Sequence, residues 1–170
     1  MSRFEKACVH LFHYEGGYVF DKNDSGGETK YGISKRSYPK LDIKHLTSKE
    51  AEQIYYDDFW LKGRFEEISD ENIAIKLFDA SVNMGISRAI TCAQRALKSM
   101  NIVVDEDGLI GPRTISAINS ADSKQLICAL KSEIAGFYRL LIAVKPVNNK
   151  FLKGWLNRAY SDIYTGEENK

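Results

Sequence analysis

Apolar residues return every three or four positions along most of this chain, and the pattern lapses only between Tyr18 and Ile33. A period near 3.6 stacks side chains on one face of a helix, whereas a strand facing a core needs a period of two. The chain is therefore expected to be mainly α, with one small irregular β-hairpin near its N-terminus. The 170 residues are enough for one domain or two small lobes around a genuine core.

Local signals divide the helical part. Phe4, Ala7, Cys8, Leu11 and Phe12 predict a first helix over 3–14, which Gly16 and Gly17 stop. Tyr18-Val19-Phe20 and Lys30-Tyr31-Gly32-Ile33 predict short extended pieces around a polar turn. Thr47-Ser48-Lys49-Glu50 has the form of a capping box, with Ala51, Ile54, Tyr55 and Phe59 behind it and Trp60 at its end. Further helices are expected over about 70–83, from Ser87 through Met100, and from Pro112 through Ile118. A long helix follows the Asp122 cap until Lys145-Pro146 breaks it, and a last one carries Phe151 to Ile163. The expected body has two lobes and a cleft.

Charge and cysteine usage exclude several classes. Lys and Arg number 24 against 23 Asp and Glu, so no basic excess favours nucleic acid. Cys8, Cys92 and Cys128 lie far apart among apolar residues, without metal-ligand spacing, and read as buried free thiols. His10 and His13 are three apart, but no acidic or thiol partner completes a metal site. No apolar run reaches the length of a membrane span, and Met1 to Lys6 carries no secretory pattern. Synthesis in the cytoplasm and a monomeric state are expected.

Glu15 is the main chemical candidate. It follows an apolar helix and precedes Gly16-Gly17-Tyr18, at a helix C-terminus whose partial negative charge disfavours a carboxylate. An acid with one side on packed aromatics and the other on an open cleft stays protonated and can act as a general acid.

Three strings together resemble glycoside hydrolase family 108, a group of lysozyme-like N-acetylmuramidases: Glu15-Gly16-Gly17-Tyr18, Asp24 to Ile33, and Asp79 to Gly85. Tyr55 to Trp60 resembles that family's pattern as well. Ala93 to Leu97 and Asp107 to Thr114 resemble the peptidoglycan-binding region that accompanies it. The resemblance implies a lysozyme-like α+β fold, with a catalytic region over 1–86 and a helical binding region over 87–165 packed on it. It also implies peptidoglycan glycan strands as the partner and no cofactor or metal.

Glycosidic cleavage needs a proton on the leaving oxygen and stabilisation of a cationic sugar. Glu15 suits the first task. Asp24, or less readily Glu28, suits the second as an ionised carboxylate, although Asp24 also fits a turn before Gly26-Gly27. Thr29 is expected to hold the attacking water, as a threonine does in similar phage-type lysozymes. Tyr18, Tyr31, Trp60, Asn83 and Gln94 are the candidate sugar contacts. Tyr31 and Trp60 suit the core equally well, Asn83 suits a helix cap, and Gln94 suits an exposed polar position.

The expected activity is hydrolysis of the β-1,4 bond between N-acetylmuramic acid and N-acetylglucosamine. A non-catalytic wall-binding module and a lytic transglycosylase are the alternatives. The family's biology implies phage-type lysis (an endolysin) or release of a toxin or other protein across the wall, with a holin-type pore giving access.

Overall fold

The computed structural model describes residues 1–14, 19 and 20, and 28–166. Glu15, Tyr18 and Asp24 lie outside the described residues. The described chain opens with α1 (Arg3–Tyr14), then three short strands, β1 (Val19–Phe20), β2 (Glu28–Lys30) and β3 (Ile33–Ser34). They form one antiparallel sheet in the order β1-β2-β3, with Thr29 opposite both Val19 and Ser34. Six longer helices follow: α2 (Ser48–Tyr55), α3 (Glu71–Met84), α4 (Ile86–Ser99), α5 (Pro112–Ser120), α6 (Ser123–Val144) and α7 (Asn149–Tyr160). The architecture is mainly helical with a small N-terminal sheet, a lysozyme-like arrangement.

The caps form as their residue types require. Thr47 Oγ1 accepts from Glu50 N, and Glu50 returns a bond to the Thr47 backbone. Asp70 and Asp122 cap α3 and α6 by accepting from Ile73 N and Gln125 N. Each such cap contributes about 1 kcal/mol.

Two local features depart from expectation. The helix through Trp60 is α only to Tyr55 and widens to a π-helical turn over Tyr56–Trp60. Residues 30–33 are not one extended piece: Lys30 pairs with Ile33 across a two-residue turn, with φ +52° at Tyr31 and +77° at Gly32. Two positive φ values make a type I′ hairpin turn, which glycine adopts freely and tyrosine does not. Tertiary contacts hold Tyr31 there. Its carbonyl accepts from Tyr55 Oη at 2.7 Å, and its ring lies 5.6 Å from Phe12.

Helix α3 is the hub, buried almost throughout its length and packed by α1 on one side and α4 on another. Helix α4 in turn packs on α6, and α6 on α7. One continuous apolar core runs from Ala7 to Ala159, so no gap separates the N-terminal and C-terminal regions. Phe4, Trp60, Phe65 and Phe78 meet edge to face at 5.5–6.3 Å in this core. Asn119 tightens the junction by donating to Glu67 O and accepting from Ser69 N.

Candidate active site

A cleft of 330 Å³ opens where the hairpin turn meets α2, the π-helical turn and α3. Its walls are Gly32 to Ser34, Ser37, Tyr38, Tyr55, Asp58, Phe59 and Val82. The same turn packs through Tyr31 on Phe12, two residues before the end of α1. The mixture of aromatic rings, hydroxyls and one carboxylate suits a sugar, whose faces are apolar and whose rim is polar.

Asp58 and Tyr38 were not singled out from the sequence as individual candidates. Tyr38 Oη donates to Asp58 Oδ2 at 2.8 Å, and Lys62 holds the other carboxylate oxygen. The Lys62 bond, followed by the Tyr38 bond, keeps the Asp58 carboxyl below its usual range. Burial, followed by the Asp58 bond, pushes the Tyr38 hydroxyl above its own. At neutral pH the cleft wall thus carries an ionised acceptor beside a neutral hydroxyl. Only the aspartate-rich Tyr55 to Trp60 string pointed toward this pair, and it could not say which acid faces inward.

At the end of α1 stands a second group. Arg158 of α7 reaches Asp79 of α3, with Nη2 donating to Oδ1 at 2.7 Å and Nε at 3.1 Å. Both side chains are largely buried, at 12% and 5% exposure. With its amide oxygen turned toward the arginine, Asn83 accepts from Arg158 Nε at 2.9 Å. The guanidinium carbon stands 5.2 Å from the ring centre of Tyr14, the residue that precedes Glu15.

The sequence candidates divide among these surroundings. Thr29 is half-buried in the middle strand, and Glu28 is half-buried at the start of the same strand. Tyr31 is half-buried at the turn, while Asn83 faces Arg158. Two expectations are corrected. Trp60 is 1% exposed, packed on Phe4, Phe65 and Phe78, and its Nε1 donates to Glu66, so its ring has no face for a sugar. Gln94 is fully buried rather than exposed or in a cleft. Its Nε2 donates to Asp107 Oδ1 at 2.8 Å and to Leu109 O at 3.2 Å, and its Oε1 accepts from Gly108 N at 2.9 Å. Gly108, at φ +70°, lies so close to Ser87 that a Cβ would fall 2.4 Å from its Oγ. The Asp107 to Thr114 string is therefore a loop over 107–111, hung from α4 by Gln94, followed by the first turn of α5. It lines a separate cavity of 560 Å³ with Val103, Leu109, Pro112 and Arg113.

The cysteines and the histidines of α1 lie apart from the cleft lining. Burial pushes the Cys8 thiol up to about 12 and Cys92 up to about 11, so neither is a nucleophile at neutral pH. Cys128 is exposed, against the expectation of burial. His10 Nδ1 accepts from Tyr164 N at 2.9 Å, and the His13 ring stacks on Tyr164 at 4.1 Å. No helix among the described residues is long and apolar enough to cross a membrane.

Residues 8–85 match the family Glycosyl hydrolase 108. The first half of the chain is a glycosyl hydrolase 108 region. Residues 88–160 match a second family, described as a predicted peptidoglycan domain. No curated protein matches the chain. Among solved structures, SagA of Brucella abortus is similar, with a TM-score of 0.74 and 27% identity over 92% of this chain and 88% of that one. The glycosyl hydrolase 108 region contains the Glu15 string, the cleft-lining hairpin, Asp79 and Asn83, while Arg158 belongs to the second match. A glycoside hydrolase region joined to a peptidoglycan domain is the equipment of a peptidoglycan-degrading protein.

Proposed function

We propose that this chain hydrolyses the β-1,4 bond between N-acetylmuramic acid and N-acetylglucosamine, with Glu15 as the general acid. The observation that carries this reading is the glycosyl hydrolase 108 match across the Glu15 string. The 330 Å³ cleft beside the hairpin supports it by offering room and chemistry for a glycan.

In this mechanism Glu15 enters protonated and gives its proton to the leaving oxygen. Asp24 is the ionised partner that meets the developing cation, and Thr29 holds the water that completes hydrolysis; that water's proton goes to one of the two carboxylates, so the pair ends with one proton, as it began. Asp58 adds a fixed acceptor for sugar hydroxyls in the cleft wall, and Tyr18 and Tyr31 supply apolar ring surface. The second region holds the glycan strand while the first cuts. The enzyme acts as a monomer, is made in the cytoplasm and reaches the wall through a holin-type pore, in phage-type lysis or in release of a toxin or other protein.

The test joins product analysis to substitution. Mass spectrometry of digested murein should find reducing muramic acid. Anhydro ends would instead make the protein a transglycosylase, and binding to insoluble murein without turnover would make it a wall-binding module. Glu15→Gln should keep a native circular dichroism spectrum and abolish lysis. Asp24→Asn and Thr29→Ala should lower kcat more than they raise KM. Wild-type turnover by a folded Glu15→Gln protein would remove the acid role.

A further inference from the structure

Arg158 stands 79 positions from Asp79 in the chain, yet α3 fixes it at both ends. Its guanidinium is gripped by Asp79 and Asn83, and its backbone carbonyl accepts from the buried Lys76 Nζ at 2.9 Å. Ser161 Oγ donates to the same carbonyl at 2.9 Å. A buried ion pair is a weak device for stability, because an apolar pair of similar volume often does as well. Its advantage is geometric, since the planar fork of arginine meets a carboxylate in one orientation. Here that orientation sets the guanidinium over Tyr14, at the last turn of α1.

We propose that Arg158 is a positioning residue for the hydrolytic centre: clamped by Asp79 and Asn83, it fixes the end of α1 from which Glu15 departs. The peptidoglycan domain is then a wall of the catalytic centre as well as a grip on the substrate. The continuous core from Ala7 to Ala159 agrees with this, because α7 packs on α6 and its Ala159 belongs to the same core as α3. The inference rests on Glu15 being the acid, and it adds that the acid's placement is set from the other half of the chain.

The test measures kcat and KM of the full chain on soluble peptidoglycan fragments, beginning with the wild type. A wild type without hydrolytic turnover rejects the muramidase reading itself, and the inference with it. With an active wild type, Arg158→Met should lower kcat on the order of 10²-fold at unchanged KM, because displacement of a catalytic group by about an ångström costs that much. Arg158→Lys should restore only part of the rate, since an ammonium lacks the fork. Asn83→Ala leaves the buried pair intact and, by loosening the guanidinium, should lower kcat roughly tenfold with unchanged KM. A folded Arg158→Met protein with wild-type kcat overturns the proposal. If Arg158→Met does not fold, an Asn83→Ala protein with unchanged kcat, or with only KM raised, overturns it instead.

Discussion

Acidification should destabilise this protein through one histidine. His10 is fully buried, its Nδ1 is occupied as an acceptor from Tyr164 N, and its Nε2 has no partner among the described residues. Burial is the main reason that its pKa falls from 6.5 to about 4; the carboxylate of Asp79 opposes the shift, and Lys76, Arg158 and His13 add to it. A base whose folded pKa is depressed binds fewer protons when native than when unfolded. Stability is therefore complete above pH 6.5 and declines as pH falls from 6.5 toward 4. At about 1.4 kcal/mol for each tenfold change in proton affinity, the fall from 6.5 to about 4 corresponds to roughly 3 kcal/mol. That is a large share of the 5–15 kcal/mol typical of a domain.

The assay is urea unfolding at pH 7, 5.5 and 4 for the wild type and His10→Gln, which cannot gain this charge. The difference between the two proteins isolates His10 from carboxylates that titrate nearby. The wild type should lose about 3 kcal/mol more than the variant between pH 7 and 4. A difference that stays constant across that range would refute the reasoning.

Two substitutions check the corrected residues. Gln94→Leu leaves the buried Gly108 N–H without an acceptor and should cost about 2 kcal/mol in urea unfolding. It should also weaken the binding of any ligand in the 560 Å³ cavity, because the Asp107 to Gly111 loop loses its anchor. Trp60→Ala should cost about 3–5 kcal/mol as a core truncation, and Trp60→Phe should lower the melting temperature while leaving KM for glycan unchanged. A raised KM in a stable Trp60→Phe protein would return the indole to the substrate side.

Much of this architecture was legible without coordinates because it depends on neighbours within four residues. Thr47 with Glu50, the aspartate cap at 122, and the proline that opens α5 act over one helical turn, so the residue types alone place those boundaries. Long-range pairings carry no such periodic mark. Nothing around residue 158 announces that an arginine there closes on Asp79, and an apolar period reads the same whether Trp60 faces a glycan or Phe78. Gln94 looked like a surface amide until the loop at Gly108 folded over it, and Tyr31 looked extended until Tyr55 and Phe12 held it in a turn. Short-range hydrogen bonding and periodicity are properties of the local string. Which polar group is buried, and opposite what, depends on segments tens of residues apart arriving at one place.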